Sequence, residues 1–212
     1  MIISHAPETC DQIAAVISDG GLIAFRTDTF YGLGADPFNP DAVRKIKDLK
    51  GRDDEKPILV VISDAEQVDR FISDPSPAFN HLMKTFWPGA LTLIGQAKND
   101  VPTEITAGTK TVGLRLPNND RVRALVRLCG GALTATSANP AQASPALDAQ
   151  AVLNYFGESV DWIVDDGKAR TDRPSTVVDV SEAEPKLIRE GVVPWAEISV
   201  SWVKTRESID IK

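Results

Sequence analysis

Residues 22–34 read Leu22-Ile23-Ala24-Phe25-Arg26-Thr27-Asp28-Thr29-Phe30-Tyr31-Gly32-Leu33-Gly34. Leu22 to Arg26 predict a strand, and the next three residues put two hydroxyls and a carboxylate at its end, where α/β folds commonly hold ligands. Gly32 and Gly34 would let backbone amides approach closely or turn sharply. Thr and Asp side chains also bond their own backbone in turns, so a structural turn and a ligand-holding turn both stand here. The stretch is neither a Walker A loop nor a dinucleotide fingerprint, since it lacks the glycine spacing and the lysine.

Upstream, Ile2 and Ile3 predict a first strand, and Pro7 to Ser18 predict an amphipathic helix with Ile13, Val16 and Ile17 on one face, stopped by Gly20-Gly21. Downstream, Asn39-Pro40 predicts an N-cap and a proline at the first helical position, opening a helix through Lys50 that Gly51 ends. Ile58 to Ile62 is a continuous apolar run, the pattern of a strand covered on both faces. Ser63 and Glu66 predict a capping box for a helix through Phe71. Further helices are expected over 78–86, 120–128 and 148–156, and further strands over 91–94, 112–116, 132–136, 162–164, 175–180 and 186–189. Some of these strands are joined by loops too short for a crossover helix. The expected fold class is therefore α/β, with a twisted mixed sheet and flanking helices. Residues 1–193 are read as one domain and 194–212 as an extension that packs through Trp195 and Trp202, with no additional C-terminal domain.

The chain has 212 residues, 42% apolar and 25% charged, as a folded globular protein does. No run of about 18 apolar residues predicts a membrane span, and the first ten residues lack the basic start and apolar core of a signal peptide, so a soluble, cytoplasmic protein is expected. Cys10 and Cys129 stand far apart and read as thiols, with neither a disulfide framework nor a zinc cluster. His5 and His81 are the only histidines, which argues against a histidine-based triad or metal site. The net charge of −7 disfavours a chain that coats nucleic acid nonspecifically. Cations nonetheless cluster at Arg44, Lys45, Lys47, Lys50, Arg52 and Lys56, and again at Lys110, Arg115, Arg121, Arg123 and Arg127. A basic concave cleft on an acidic body suits a small anionic ligand.

Four other segments bear chemistry. Lys50-Gly51-Arg52 with Lys56-Pro57 can hold a polyphosphate, although Lys50 can equally serve the helix dipole while the rest are solvated. In Thr111-Val112-Gly113-Leu114-Arg115-Leu116-Pro117 the arginine projects from the strand face opposite Val112, Leu114 and Leu116, either into a cleft or to solvent. Thr134-Ala135-Thr136-Ser137-Ala138-Asn139-Pro140 ends a strand in small polar groups suited to ribose, phosphate or an amino acid, or to an ordinary turn. Ser175 to Asp179 and Leu187 to Gly191 complete the set.

In this order the segments RTDTFYGLG, LKGR…KP, FWPGALT, TVGLRLP, TATSAN, STVVD and LIREG resemble the YrdC family of threonylcarbamoyl-AMP synthases over roughly residues 10–193. The resemblance implies an ATP-dependent nucleotidyltransferase with a YrdC-like catalytic domain of the short form. It implies that L-threonine, bicarbonate or CO₂ and ATP with Mg²⁺ become threonylcarbamoyl-AMP and pyrophosphate, for transfer to tRNA by a downstream transferase complex. It assigns Lys50, Arg52, Lys56 and Arg189 to the nucleotide phosphates, the first two as catalytic, and Thr111, Ser137, Asn139 and Ser144 to ATP. Thr29, Arg115 and Ser175 would hold threonine, with Arg115 on its carboxylate and the backbone at Ala135 closing the pocket. No protein metal ligand is expected.

The sequence departs from the family pattern at Arg26 and Glu190, both usually proline, and at Val61, where many relatives carry histidine. It also departs in Pro140 to Ala143, one residue short ahead of Ser144. A different class of reading is a module of the same fold that binds double-stranded RNA or the ribosome without synthase activity. A carbamoyl-transfer domain of hydrogenase maturation is disfavoured by the missing appended regions.

Overall fold

The computed structural model of the chain describes residues 1–51, 56–169, 171 and 173–209, with positions 7 and 206–209 as backbone only. In chain order it builds β1 (Ile2–Ser4), α1 (Pro7–Ser18), β2 (Ile23–Arg26), β3 (Tyr31–Gly34), α2 (Pro40–Lys50) and β4 (Val60–Ile62). Then come α3 (Pro77–Phe86), β5 (Leu91–Gln96), α4 (Thr103–Thr106), β6 (Thr111–Arg115), α5 (Asp120–Leu128), β7 (Ala132–Thr134) and β8 (Thr136–Ser137). The last elements are α6 (Ala149–Phe156), β9 (Trp162–Asp165), β10 (Thr176–Asp179), β11 (Lys186–Arg189) and α7 (Trp195–Ile209).

Capping fixes several of these boundaries. Asn39 Oδ1 accepts the Ala42 amide at 3.1 Å ahead of Pro40, and Gly51 closes α2 in the left-handed region at φ 56°. Asp148 caps α6 by accepting from Ala151 at 2.8 Å, and Ser76 caps α3 through Phe79. The expected capping box at Ser63 is a correction: residues 65–70 form a 3-10 turn whose N-cap is Asp64, and the Ser63 hydroxyl bonds the Asp64 carboxylate instead. The hydroxyl is thereby spent on its neighbour and has no part in starting an α-helix.

The strands divide into two mixed sheets. One has the order β1-β9-β2-β3-β8 and the other β11-β10-β5-β6-β4-β7. Parallel and antiparallel pairs occur in each, because tight hairpins such as β2–β3 alternate with crossovers such as β4 to β6. The segment expected as one strand over 132–136 is two. The chain leaves the second sheet after Thr134 and enters the first at Thr136, with Ala135 between them donating its amide to Leu59 O at 2.8 Å.

Gly32 and Gly34 lie within β3 and not in a turn. A Cβ on Gly34 would sit 2.7 Å from the Phe25 ring, so close packing excludes a side chain there. A large buried cluster joins Ala24, Tyr31 and Leu33 of the first sheet to Val60, Ile62 and Leu93 of the second, with α2, α3, α6 and α7 contributing Ile46, Phe79, Val152 and Trp202. Trp195 packs against the same cluster half-buried. A second cluster seats Ile13 and Ile17 of α1 and Val122, Leu125 and Val126 of α5 against Ile23, Phe25 and Leu133.

Thr134 ties the sheets together. Fully buried, its Oγ1 accepts the Ala35 amide at 2.9 Å and donates to Leu33 O at 3.2 Å. Thr134→Val keeps the shape but orphans both groups, and urea unfolding should show a loss of about 1–3 kcal/mol; a neutral result would remove Thr134 as a joint. Cys129 supplies a second test. Burial, then the neighbouring Cys10, push its thiol from the ordinary 9.0 up to about 12. The folded chain therefore holds this proton when the unfolded chain has lost it, so the stabilisation is complete below about pH 9 and is lost as pH rises towards 12. At pH 8 an aromatic disulfide reagent should titrate Cys10 in the native protein and reach Cys129 only on unfolding; rapid labelling of both would contradict the buried placement.

Candidate functional site

Between the two sheets lies a cleft of about 920 Å³. The first sheet lines it with Thr27, Thr29, Tyr31, Gly32, Thr136 and Ser137, and the second with Val61, Thr92, Ile94, Arg115, Val177 and Arg189. Ala135 and Ser175 complete the floor, and Pro57, Leu59, Pro145, Pro174 and Ile188 form apolar stretches of wall.

Arg115 ends β6 facing the turn after β2. Its side chain is buried and pairs with Asp28 at 2.5 Å, while both terminal nitrogens reach Thr29 Oγ1 at 3.3 Å. Thr29 in turn shares a 3.0 Å hydrogen bond with Thr27 Oγ1. The Asp28 carboxylate also accepts the Asn118 amide at 3.3 Å, so it holds the guanidinium from behind. Arg115 Nε is buried and has no partner among the described residues. A buried donor without a partner is costly, and here it belongs to a cation lining an open cleft.

The facing group is Arg189 at the end of β11. Its Nη2 donates to Ser175 O at 3.0 Å and approaches Ser175 Oγ at 3.4 Å, and Ser175 Oγ bonds buried Thr92 Oγ1 at 3.0 Å. Desolvation, then repulsion from Arg115, lower the Arg189 pKa below the ordinary arginine range, so the two cations sense one another across the cleft. Gly191 makes this approach possible: a Cβ there would lie 2.2 Å from Pro174 O. Tyr31, whose hydroxyl donates to Gly167 O at 2.8 Å, is pushed by burial up to about 12 and stays neutral.

The structure thus brings together Thr29, Arg115, Ala135, Ser137, Ser175 and Arg189 on one concave surface. Lys50 lies behind it. Buried at the end of α2, it donates to Ser137 O and, at 2.7 Å, to Asn139 O, holding the turn that carries Ser137. Asn139 donates to Pro140 O and Ala143 O, while its buried Oδ1 has no partner among the described residues. Ser144 is exposed next to Pro145 of the wall, and Lys56 is exposed next to Pro57. Thr111 shares the face of Arg115 but stands four residues back along β6, about 13 Å away, where it bonds Thr109 Oγ1 at 3.0 Å. Arg52 lies outside the described residues.

Thr92 carries the site too, although sequence reasoning gave it no role, and Thr27 and Asp28, read there only as part of a ligand-holding or structural turn, support Thr29 and Arg115. The available signal was a polar residue on an otherwise apolar strand, as Thr92 is between Leu91 and Leu93. Among the described residues no group of three or more His, Cys, Asp or Glu side chains could hold a metal ion. No helix among them is long and apolar enough to cross a membrane.

Breaking the Arg115–Asp28 pair should expose its energetics. Arg115→Met leaves a buried carboxylate uncompensated and should cost about 3–5 kcal/mol in denaturant unfolding, part of which Asp28→Asn in the same chain restores. A cost below about 1 kcal/mol would mean that the pair is effectively solvated.

The chain matches Sua5/YciO/YrdC, described as Telomere recombination, over residues 15–191. It is 36% identical over 185 residues to the threonylcarbamoyl-AMP synthase of Pyrococcus abyssi, covering 87% of this chain and 54% of that protein. The synthase of Idiomarina loihiensis is 36% identical over 160 residues, 74% of this chain and 86% of that one. The crystal structure of P. abyssi Sua5 complexed with L-threonine superposes with a TM-score of 0.91 at 33% identity, covering 95% of this chain and 60% of that one. The chain spans about half the length of the first curated relatives it matches, 54% of each. A match across 15–191 and relatives above 30% identity over most of the chain leave one conclusion, that this protein belongs to the Sua5/YciO/YrdC family.

Proposed function

We propose that the cleft makes threonylcarbamoyl-AMP from L-threonine, bicarbonate or CO₂, and ATP, releasing pyrophosphate. The observation that carries the reading is the convergence of Arg115 and Arg189, each backed by buried hydroxyls, on one concave surface in a chain whose relatives are named for this synthase. One guanidinium suits a carboxylate and the other a phosphate, since each presents a fork matched to paired oxygens. The P. abyssi Sua5 structure complexed with L-threonine supports placing threonine in this cleft.

In this reading Arg115 takes the threonine carboxylate, with Thr29, Ser175 and the backbone at Ala135 around it. Arg189, Arg52 and Lys56 serve the triphosphate, Lys50 supports them from behind by holding the Ser137 turn, and Ser137, Asn139, Ser144 and Thr111 lie towards the nucleotide. The threonine amine adds to CO₂ and loses a proton to become a carbamate. A carbamate oxygen then bonds the α-phosphorus as the bond to the β-phosphate oxygen breaks, and pyrophosphate leaves. No side chain needs to be a nucleophile. The chain's task is to align two anions and offset their charge. Mg²⁺ enters as part of the nucleotide substrate. The product would pass to a separate tRNA threonylcarbamoyltransferase, so the chain works in the compartment where tRNA is modified.

Pyrophosphate release should require L-threonine, bicarbonate and Mg·ATP together. Arg189→Ala should cut kcat/KM by about 10–100-fold, the scale for losing one preorganised charge contact. RNA binding without threonine-dependent pyrophosphate release would replace this reading with that of a non-catalytic RNA module.

A further inference from the structure

A second pocket, about 450 Å³, opens on the other side of the 27–30 turn and is lined by Arg26, Asn118, Asn119, Asp120, Arg121 and Asp166. All of its lining residues are polar or charged. Arg26 and Arg121 each pair with Asp166 at 2.9 Å, and Asp166 is almost fully buried. The lining thus carries two guanidiniums and two carboxylates, of which Asp120 is exposed and turned to Arg123 outside the pocket while Asp166 is shared by Arg26 and Arg121. His5, 3.9 Å from Asp166, is held towards its neutral form by burial and adds no full charge.

Two donors in this wall are unmatched. Asn119 is nine-tenths buried, and among the described residues its Nδ2 has no hydrogen-bond partner, nor has the buried Nε of Arg26. The Asn119 amide cannot simply be turned round, because its Oδ1 accepts the amides of Arg121 and Val122 at 3.2 and 3.4 Å as the N-cap of α5. Buried donors without partners are uncommon in folded chains, and their presence in the wall of a polar pocket that also holds two guanidiniums points to an acceptor that comes from solution. Between the pocket and the cleft stands Asp28, which lines neither and accepts from Arg115 of the cleft and from the amide of Asn118 of the pocket.

We propose that this pocket binds a small oxyanion of the phosphate class, held by Arg26, Arg121 and the Asn119 carboxamide. The site stands apart from the cleft and does not depend on the reaction assigned there. Arg26, where the family pattern usually has proline, would make it a feature of this chain.

The test is a titration of the full chain with inorganic phosphate, followed by NMR at the Asn119 side-chain amide and the Arg26 Nε–H. Saturable shifts at both are expected, in wild type and in Arg189→Ala alike. Asn119→Ser keeps an N-cap oxygen but removes the amide donor, and it should weaken phosphate binding here about tenfold. Arg26→Lys, which keeps the charge facing Asp166 and loses the Nε–H, serves as the second variant with the same expectation. Shifts confined to cleft residues, or unchanged affinity in both variants, would overturn the site. A parallel bicarbonate titration separates planar from tetrahedral anions, and tighter bicarbonate binding would overturn the phosphate assignment. Because pyrophosphate release is not the readout, this proposal and the synthase reading can fail separately.

Discussion

The structure depends on how two sheets are held edge to edge without merging. The chain passes from β7 to β8 through Ala135, and the buried Thr134 hydroxyl bridges Ala35 and Leu33 of the neighbouring strand. Those bonds replace the ladder that a continuous strand would have supplied, so the polar backbone at the crossing stays satisfied although it is buried. The sheets diverge from that joint, and the space between them is the cleft. A fold with one continuous sheet would have presented Thr29 and Arg189 on a common flat face. Here they meet across a gap.

The charges in the gap are arranged unequally. Arg115 is anchored by the Asp28 carboxylate, whereas Arg189 is held by the Ser175 carbonyl and hydroxyl, which carry no full charge. Arg115 is therefore fixed in orientation by an ion pair, whereas Arg189 has no carboxylate partner among the described residues. Burial, and then repulsion from Arg115, lower the Arg189 pKa. Lys50 contributes from behind the wall. With its ammonium on the Ser137 and Asn139 carbonyls, it shapes the turn that presents Ser137, whatever part it takes with a nucleotide.

The sequence made much of this legible where the cause is local. The α1 and α2 boundaries, the Asn39 cap and the Gly51 stop were readable because capping and helical periodicity act over a few residues. So were the strand ends that carry Thr29, Arg115, Ser137, Ser175 and Arg189. Ser63 was misread because its hydroxyl has a nearer partner in Asp64, a competition that spacing does not reveal. The break at Ala135 was invisible because residues 132–136 have the pattern of one strand and only the partner strands divide it. Thr92 was passed over, and the task of Asp28 was not read, for a similar reason: each acts through a residue distant in sequence, Ser175 and Arg115 respectively.

By itself, then, the sequence determined the alternation of strands and helices, the positions of the hydroxyls and cations at strand ends, and the family resemblance those segments carry. These follow from short-range physics and from the order of residues along the chain. Only the tertiary structure decided that the strands form two sheets, that Arg115 and Arg189 face each other, that Lys50 stands behind the wall, and that Arg26 and Asn119 share a second pocket. Those outcomes depend on which strands pair and on which buried polar groups find partners, and both are settled by contacts between residues far apart in the chain.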